Sequence, residues 1–595
     1  MAKKISVIAL CFCYIIMIYT AFIFYPKWKQ SGTEATISWD ASGYYMYLPA
    51  LFIYKDIKKC AFKDSILAKY SPTPDFQQAF VHTKSSNYVM KYSSGQAITM
   101  MPFFFMAHLW CKLNPAYPAD GFSYPYQFAI GVGMLFYAFI GLFFLRKFLL
   151  HFFKDSTVAI LLLCYAIGTN YLNYSSIDQA MTHNVLFTIY CLNIFLTIIF
   201  QKSPSYKSAF SIGILIGLAT LIRPTDIISA LIPLLWTINS SKDLIPKIRF
   251  IRQHFSKHLI IAVSALAVFS IQLIYWKWVA NEWFVYSYQD QGFSWLHPHL
   301  YNYTLSYKCG WLRYCPMMIL PLTGLYFYLK TGVNKVAIIA FTIINLYIVT
   351  AWDIWDYGNT AGRAMIQSYP ILAFPFCALI ERMTKNKRTA TILAIPVLFF
   401  TYMNIWWTYH AHAGNTQITD VTREYYWKVA GRWNESDEDK KLLDNPHAFY
   451  GTPKNEIILY RNSFDNDTSQ NAVQETNNNL IKINKELQQT SLYSIQNNSS
   501  FKKWIRASAD FRCTIKEWDI WKQAQFIVQF YDKDTVIQTN LIHVHRFISD
   551  GETENIYLDA IVPVVKWDKL TISIWNANGD KELFIDNLMI QSFND

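Results

Sequence analysis

One acidic residue stands apart in the stretch Ser38-Trp-Asp-Ala-Ser-Gly-Tyr-Tyr-Met-Tyr-Leu-Pro-Ala-Leu51, where Asp40 sits among aromatic and small residues. Gly43 and the tyrosines Tyr44, Tyr45 and Tyr47 follow it, shortly beyond the first apolar run of the chain. A lone carboxylate at such a place suits a general base. Two arginines in later connections, Arg223 and Arg363, supply the complementary charge. Transfer of a sugar from a polyprenyl phosphate to a hydroxyl needs this set. The attacking hydroxyl must lose a proton to one carboxylate, whereas the departing phosphate is already a stable anion and needs only cations or donors around it. Glycoside hydrolysis differs, because there a second carboxyl must protonate a poor leaving group. On this reading Asp40 is the base. Arg363 holds the phosphate after the Gly358–Gly362 segment, whose glycines let backbone approach a ligand, and Arg223 is a second phosphate contact.

The elements that would position these groups are membrane helices. Of 595 residues, 53% are hydrophobic and 17% aromatic, and only 16% are charged, well below a soluble domain. The apolar residues cluster up to about position 410 in runs of roughly 14–22, most of them long enough to cross a bilayer. About eleven spans are expected, at 5–25, 126–145, 157–173, 182–200, 207–222, 226–239, 258–280, 314–330, 336–351, 365–380 and 389–408. The first has no small-residue cleavage site after it and reads as a retained anchor.

Charge sets the orientation. The formal net charge is +12, but its placement in short loops between apolar runs argues against nucleic acid. With the N-terminus cytoplasmic, the loops holding Arg146, Lys147 and Lys154, then Lys202 and Lys207, then Lys242 to Lys257, Lys330 with Lys335, and Arg382 to Arg388 all fall inside. The long loop 26–125 lies outside, and within it the apolar stretch 97–111 is expected as an interfacial helix, since counting it as a crossing would invert every later loop. The expected localisation is a cell (inner) membrane protein with an extracytoplasmic C-terminal domain. The ten cysteines show no paired CxxC spacing, so disulfide or metal use is not expected of them.

Domain 1–410 is therefore the membrane part, 411–454 a polar linker with short helices, and 455–595 a soluble domain. Period-two runs at 504–511, 525–531, 555–562, 569–575 and 582–590 indicate antiparallel strands of a β-sandwich, jelly-roll-like. A strand over 457–464 is expected to pair with the closing strand 584–593, and a helix-compatible piece lies near 479–489. Trp504, Trp518, Trp521 and Trp567 read as core or as a sugar platform.

On this topology the outer loops collect the unusual polar residues. Asp40 and Asp178 are the candidate catalytic residues, and Tyr44, Tyr45, Lys91, Tyr92, His183, Arg223, Asp290, Trp355 and Arg363 the candidate substrate contacts. Plainer readings stand beside these. Asp40 would serve as a helix N-cap, Asp178 as a cap for the span near Met181, Arg223 as a snorkelling residue, and Arg363 as a partner of Asp353 or Asp356. His297 and His299 are loop residues able to hold a metal weakly. Lys84 and Lys91 either steer an anionic donor or are simply solvated.

The motifs Trp39-Asp40 with Gly43-Tyr44-Tyr45, Tyr92-Ser-Ser-Gly-Gln-Ala97 running into Met101-Pro102, Asp178 with His183, Leu221-Ile-Arg-Pro-Thr225, and Trp352…Trp355-Asp-Tyr-Gly-Asn-Thr-Ala-Gly-Arg363 occur in this order. Over roughly residues 1–410 the chain resembles the GT-C superfamily of polytopic, polyprenyl-phosphate-dependent glycosyltransferases. The branch it is most similar to contains protein O-mannosyltransferases, the aminoarabinose transferase of lipid A and related lipopolysaccharide sugar transferases. The resemblance implies an inverting mechanism, an external active site, a lipid-phosphate sugar donor and an envelope lipid, glycan or protein as acceptor. Trp39-Asp40 lacks the neighbouring second acid of the mannosyltransferase branch, and Gln291 stands where a glutamate is expected. No cofactor is implied with certainty, and a divalent metal stays open. Two other functions compete: a lipid-linked glycan transporter, and a non-catalytic glycan-binding membrane protein.

Overall fold

The computed structural model describes residues 4–358, 360–413, 416, 418–465, 472–475, 478–497, 501–577 and 579–595. It divides into two units, Met1–Thr419 and Asp420–Asp595. The stretch expected as a linker is thereby split, since the helix Arg423–Val429 and everything after it belong to the second unit.

The first unit is helical. Six of its helices are long and apolar enough to cross a membrane: Ile5–Lys29, Tyr124–Leu149, Thr182–Lys202, Phe255–Ala280, Arg363–Met383 and Lys387–His412. Asp155–Gly168, Tyr206–Ile222, Pro224–Leu235 and Lys335–Ala351 are shorter apolar helices. The helix Gly95–Leu113 covers the expected interfacial stretch and is not among the six. It buries Ala97, Met100, Phe104, Ala107 and Cys111 along one side and leaves Phe105, Met106, Leu109 and Trp110 exposed on the other.

Several expected spans are interrupted, and the residues at the breaks explain why. The helix expected over 157–173 stops at Gly168, and a short helix Tyr171–Ser176 follows. Thr169 turns its hydroxyl back to the Tyr165 carbonyl (2.6 Å), and Asn170 donates to the Ala361 carbonyl (2.7 Å), so local polar groups displace the helical ladder. The stretch 226–239 becomes a 3-10 turn, Pro224–Ala230, and a short helix, Leu231–Leu235, with Pro224 and Pro233 limiting both. Pro316 likewise divides 314–330 into Trp311–Tyr314, a 3-10 turn and Ile319–Thr331.

Close helix contacts rest on glycine. A Cβ on Gly213 would meet the Ile261 carbonyl oxygen at 2.5 Å, and one on Gly217 the Ala265 carbonyl oxygen at 2.6 Å. Helix Tyr206–Ile222 therefore lies with its backbone against helix Phe255–Ala280, the small-xxx-small packing that membrane helices favour.

The second unit is a β-sandwich. One sheet runs in the order Thr553–Ile561, Trp504–Cys513, Leu583–Asn594, Asn478–Ile483, Ala472–Glu475, with Lys454–Asn462 also paired to the long closing strand. The other runs Gln489–Gln496, Lys569–Trp575, Gln525–Asp532, Thr535–His543. All these pairings are antiparallel. The expected contact between the first and closing strands is present, with Asn462 opposite Leu588 and Tyr460 opposite Ile590. The two inner faces share one core, in which Phe511 of one sheet meets Phe526 of the other at 5.2 Å between ring centroids. The helix-compatible piece at 479–489 is instead the strand Asn478–Ile483 followed by a turn, because Ile481 and Ile483 find places opposite Ile585 and Leu583. Tertiary pairing overrides local preference here.

Replacing Gly217 with isoleucine should separate the two helices. The expected outcome is a melting temperature several degrees lower in detergent, consistent with an overpacking cost of about 1–3 kcal/mol. An unchanged melting curve would show that the contact yields freely.

Candidate functional site

Asp40 is held from two directions. The helix Trp39–Tyr45 opens at Ser38 and carries Asp40 in its first turn. Asp40 is thus inside the helix and not its N-cap. The preceding residue, Trp39, has a left-handed backbone at φ 47°. The Tyr92 hydroxyl donates to one carboxylate oxygen at 2.7 Å, and the Arg363 guanidinium donates to the other at 2.7 Å. The Asp40 side chain stays 27% exposed. Burial pushes its carboxyl up, but Arg363, the Tyr92 hydroxyl, Lys91 and Arg223 together outweigh burial and hold it below the ordinary carboxylate value. Burial and Asp40 push the Tyr92 phenol well up, so it remains a donor.

Each partner has its own support. Gly43 lets the Tyr92 ring come close, for a Cβ there would meet Tyr92 ring carbons at 2.4 Å and 2.5 Å. The Tyr47 hydroxyl donates to the Tyr92 carbonyl at 2.7 Å, and Ser94 donates through both its backbone and its hydroxyl to Gln272 on helix Phe255–Ala280. Gly95 then presses on the end of helix Tyr206–Ile222: a Cβ would meet Ile222 N at 2.4 Å and Leu221 C at 2.5 Å. Arg223 follows at once, in extended backbone before Pro224. Two separate motifs of the sequence are thus one packed junction.

The glycines before Arg363 serve the fold. Gly358 (φ 101°) leaves room for the Tyr174 hydroxyl, and Gly362 (φ 71°) faces the Trp311 ring, which a Cβ would meet at 2.1 Å. The Tyr174 hydroxyl donates to the Thr360 carbonyl at 2.9 Å, and the Arg363 guanidinium stacks over Tyr357 at 4.3 Å. Asn359 of this motif lies outside the described residues. Arg363 pairs with Asp40 and with neither of the partners weighed for it: Asp356 takes Lys308 at 2.6 Å, and Asp353 accepts from Ser294 (2.7 Å) and from the Gly292 backbone (3.1 Å).

Arg223 is the second cation of the cluster. It approaches His183 Nε2 at 3.4 Å and faces the Tyr44 phenol. Among the described residues no carboxylate forms an ion pair with it. His183 is fully buried, and among the described residues Arg363 Nε and Thr360 Oγ1 have no hydrogen-bond partner. Tyr44 packs on Tyr92 at 4.4 Å between ring centroids. Lys91 lies over the Tyr92 ring at 5.7 Å and has no ion pair among the described residues, whereas Lys84 is spent on Glu282 at 2.7 Å.

The other candidates have partners of their own. Tyr45 is fully buried, and its hydroxyl donates to the Gly121 carbonyl at 2.6 Å. Asp178 forms a buried ion pair with Lys27 and accepts from Asn173 at 2.9 Å, while Asn173 bonds His412 at 2.5 Å. This network ties together the ends of the first and last long helices. Burial pushes the Asp178 carboxyl up, but Lys27, His412 and Asn173 bring it down to about 2. Asp178 does not cap the following helix, whose N-cap is Met181. Asp290 is exposed on its loop, and Trp355 packs beside His299 at 6.3 Å. Tyr174, Tyr357, Gln272 and Lys27 join the machinery without having been singled out; Tyr357 lies inside the Trp352–Arg363 motif already noted.

No group of three or more His, Cys, Asp or Glu ligands includes Asp40 among the described residues. The grouping that does form, Asp420, Asp444 and His543 in the second unit, already encloses the Arg546 guanidinium, which pairs with both aspartates.

No protein-family model matches the sequence. No curated protein matches it either. Among solved structures, the fold is similar to that of the arabinosyltransferase EmbB from Mycobacterium smegmatis, at 8% sequence identity and a TM-score of 0.27, over 82% of this chain and 59% of that one. The likeness thus spans less than two thirds of the length of that enzyme.

The depressed Asp178 carboxyl stabilises the fold at pH above about 4, the unfolded value, and that contribution is lost as pH falls from there toward about 2. It is on the order of 2–3 kcal/mol. Thermal melts between neutral and strongly acidic pH should therefore fall less steeply for Asp178→Asn than for wild type. The variant should also melt lower at neutral pH, because Lys27 is left buried and unpaired.

Proposed function

We propose that this chain is a membrane glycosyltransferase that moves a sugar from a polyprenyl-phosphate donor to a hydroxyl of an envelope lipid, glycan or protein, with inversion. The observation that carries this reading is an ionised aspartate clamped by a phenol and a guanidinium, with a second guanidinium nearby that has no carboxylate partner among the described residues. Asp40 takes the proton of the acceptor hydroxyl. Its lowered basicity is tolerable, because departure of a phosphate builds positive charge on the sugar and makes the acceptor proton acidic as attack proceeds. Arg363 and Tyr92 fix the carboxylate's direction. Arg223 and Lys91 receive the phosphate, and Tyr44, His183 and Trp355 line the substrate path. Asp178 acts on this site through the 171–181 segment that also carries Tyr174. The basic loops support a cytoplasmic N-terminus and an extracytoplasmic sandwich.

Membranes supplied with labelled polyprenyl-phosphate sugar test the assignment. Asp40→Asn should lower the transfer rate by roughly 10²–10⁴, and undiminished transfer would remove Asp40 from the role of base. Loss of the leaving-group cation in Arg223→Ala should cost about 10²–10³ in kcat, with part of the rate restored in Arg223→Lys. A labelled donor that crosses the bilayer without gaining a new covalent bond would favour transport instead.

A further inference from the structure

In the second unit Trp504 and Trp567 are buried in the sandwich, whereas Trp427, Trp433, Trp518, Trp521 and Trp575 are exposed. Two of the exposed rings, Trp518 (72% exposed) and Trp521 (36%), share the connection 514–524 between two strands, beside Ile515, which is 51% exposed. The connection is firmly built. The Glu517 N–H donates to His545 Nδ1 at 3.3 Å, and the Gln523 side-chain amide donates to the Glu517 carbonyl at 2.9 Å. Backbone N–H groups of Asp519 and Trp521 donate to Glu517 and Asp519 carboxylates at 3.0 Å and 3.1 Å, and that of Lys516 to Asp550 at 2.7 Å. Glu517 itself is buried. A turn made for water would do the opposite, with polar groups outward and rings inward.

Charge and chain path favour one occupant. Lys516 and Lys522 flank the rings, and the Lys516 ammonium lies 4.7 Å from the Trp518 ring centroid. His545, which accepts from Glu517, is next to Arg546, and Arg546 binds Asp420, the first residue of this unit, at 2.8 Å. The chain therefore enters the sandwich at the end that bears these rings. It arrives from the helix Lys387–His412, one of the six able to cross a membrane, which ends eight residues before Asp420.

We propose that the 515–522 connection is a bilayer-surface anchor. Trp518, Trp521 and Ile515 enter the headgroup boundary, where indole rings are favoured, and Lys516 and Lys522 rest on anionic headgroups. Glu517 and Gln523, which could bond a sugar, are buried and not presented beside the rings.

The test uses the full chain in nanodiscs of phosphatidylcholine with phosphatidylglycerol. A photo-crosslinking residue replaces Trp518, Trp521 or, as a control, Val536, which is 42% exposed at the far end of the sandwich beside the Asp532–Thr535 turn. Lipid adducts at 518 and 521 should exceed those at 536 by roughly tenfold, as an interfacial placement requires. Ile515 takes no part in strand pairing, so the same probe there reports independently if a tryptophan replacement disturbs folding. Lipid adducts no higher at 515, 518 and 521 than at 536 would overturn the proposal. So would adducts formed only with envelope glycan added to the same sample.

Discussion

The ion pair between Asp40 and Arg363 joins residues 323 positions apart and holds the candidate site together. A carboxylate set among aromatic rings is costly unless it is both paired and hydrogen-bonded. Asp40 meets both conditions, through the Arg363 guanidinium and the Tyr92 hydroxyl. The segments bearing these three residues must therefore converge, and much of the helical unit serves that convergence. Helix Phe255–Ala280 steadies Tyr92 through Gln272, and the 171–176 turn steadies the approach to Arg363 through Tyr174.

The convergence is steric as well as electrostatic. Gly43, Gly95 and Gly362 each stand where a single added carbon would collide with a ring or a backbone, and Gly358 (φ 101°) holds a backbone conformation that favours glycine. They crowd the surroundings of the charges until donor and acceptor directions are fixed. Among the described residues Arg363 Nε and Thr360 Oγ1 are buried with no hydrogen-bond partner. Groups of this kind are satisfied by water or by a polar ligand.

The architecture was largely legible from periodicity. Long apolar runs became helices, period-two runs became strands, and the pairing of the first and closing strands of the sandwich was visible from their alternation. Asp40, Tyr92, Arg223 and Arg363 were also visible as polar residues out of place in apolar surroundings. Their connections were not. Nothing local tells Arg363 to prefer Asp40 over the nearer Asp356, which is claimed by Lys308. Tyr45 and Tyr44 are adjacent in sequence and alike in chemistry, yet only helix geometry turns one to Gly121 and the other to Arg223. The partner of Asp178, Lys27, lies 151 residues away, so nothing local announces that ion pair. The strand at Asn478–Ile483 was hidden because its local composition admits a helix and one of its two pairing strands lies at the end of the chain.

Trp39 is left-handed although it carries a large side chain. A residue of this kind in that backbone region stores on the order of 1–3 kcal/mol. That energy sits next to the aspartate and is offset by the contacts that Asp40 makes with Tyr92 and Arg363. A glycine at position 39 would ease the joint, while the Arg363 and Tyr92 contacts would still hold the carboxylate.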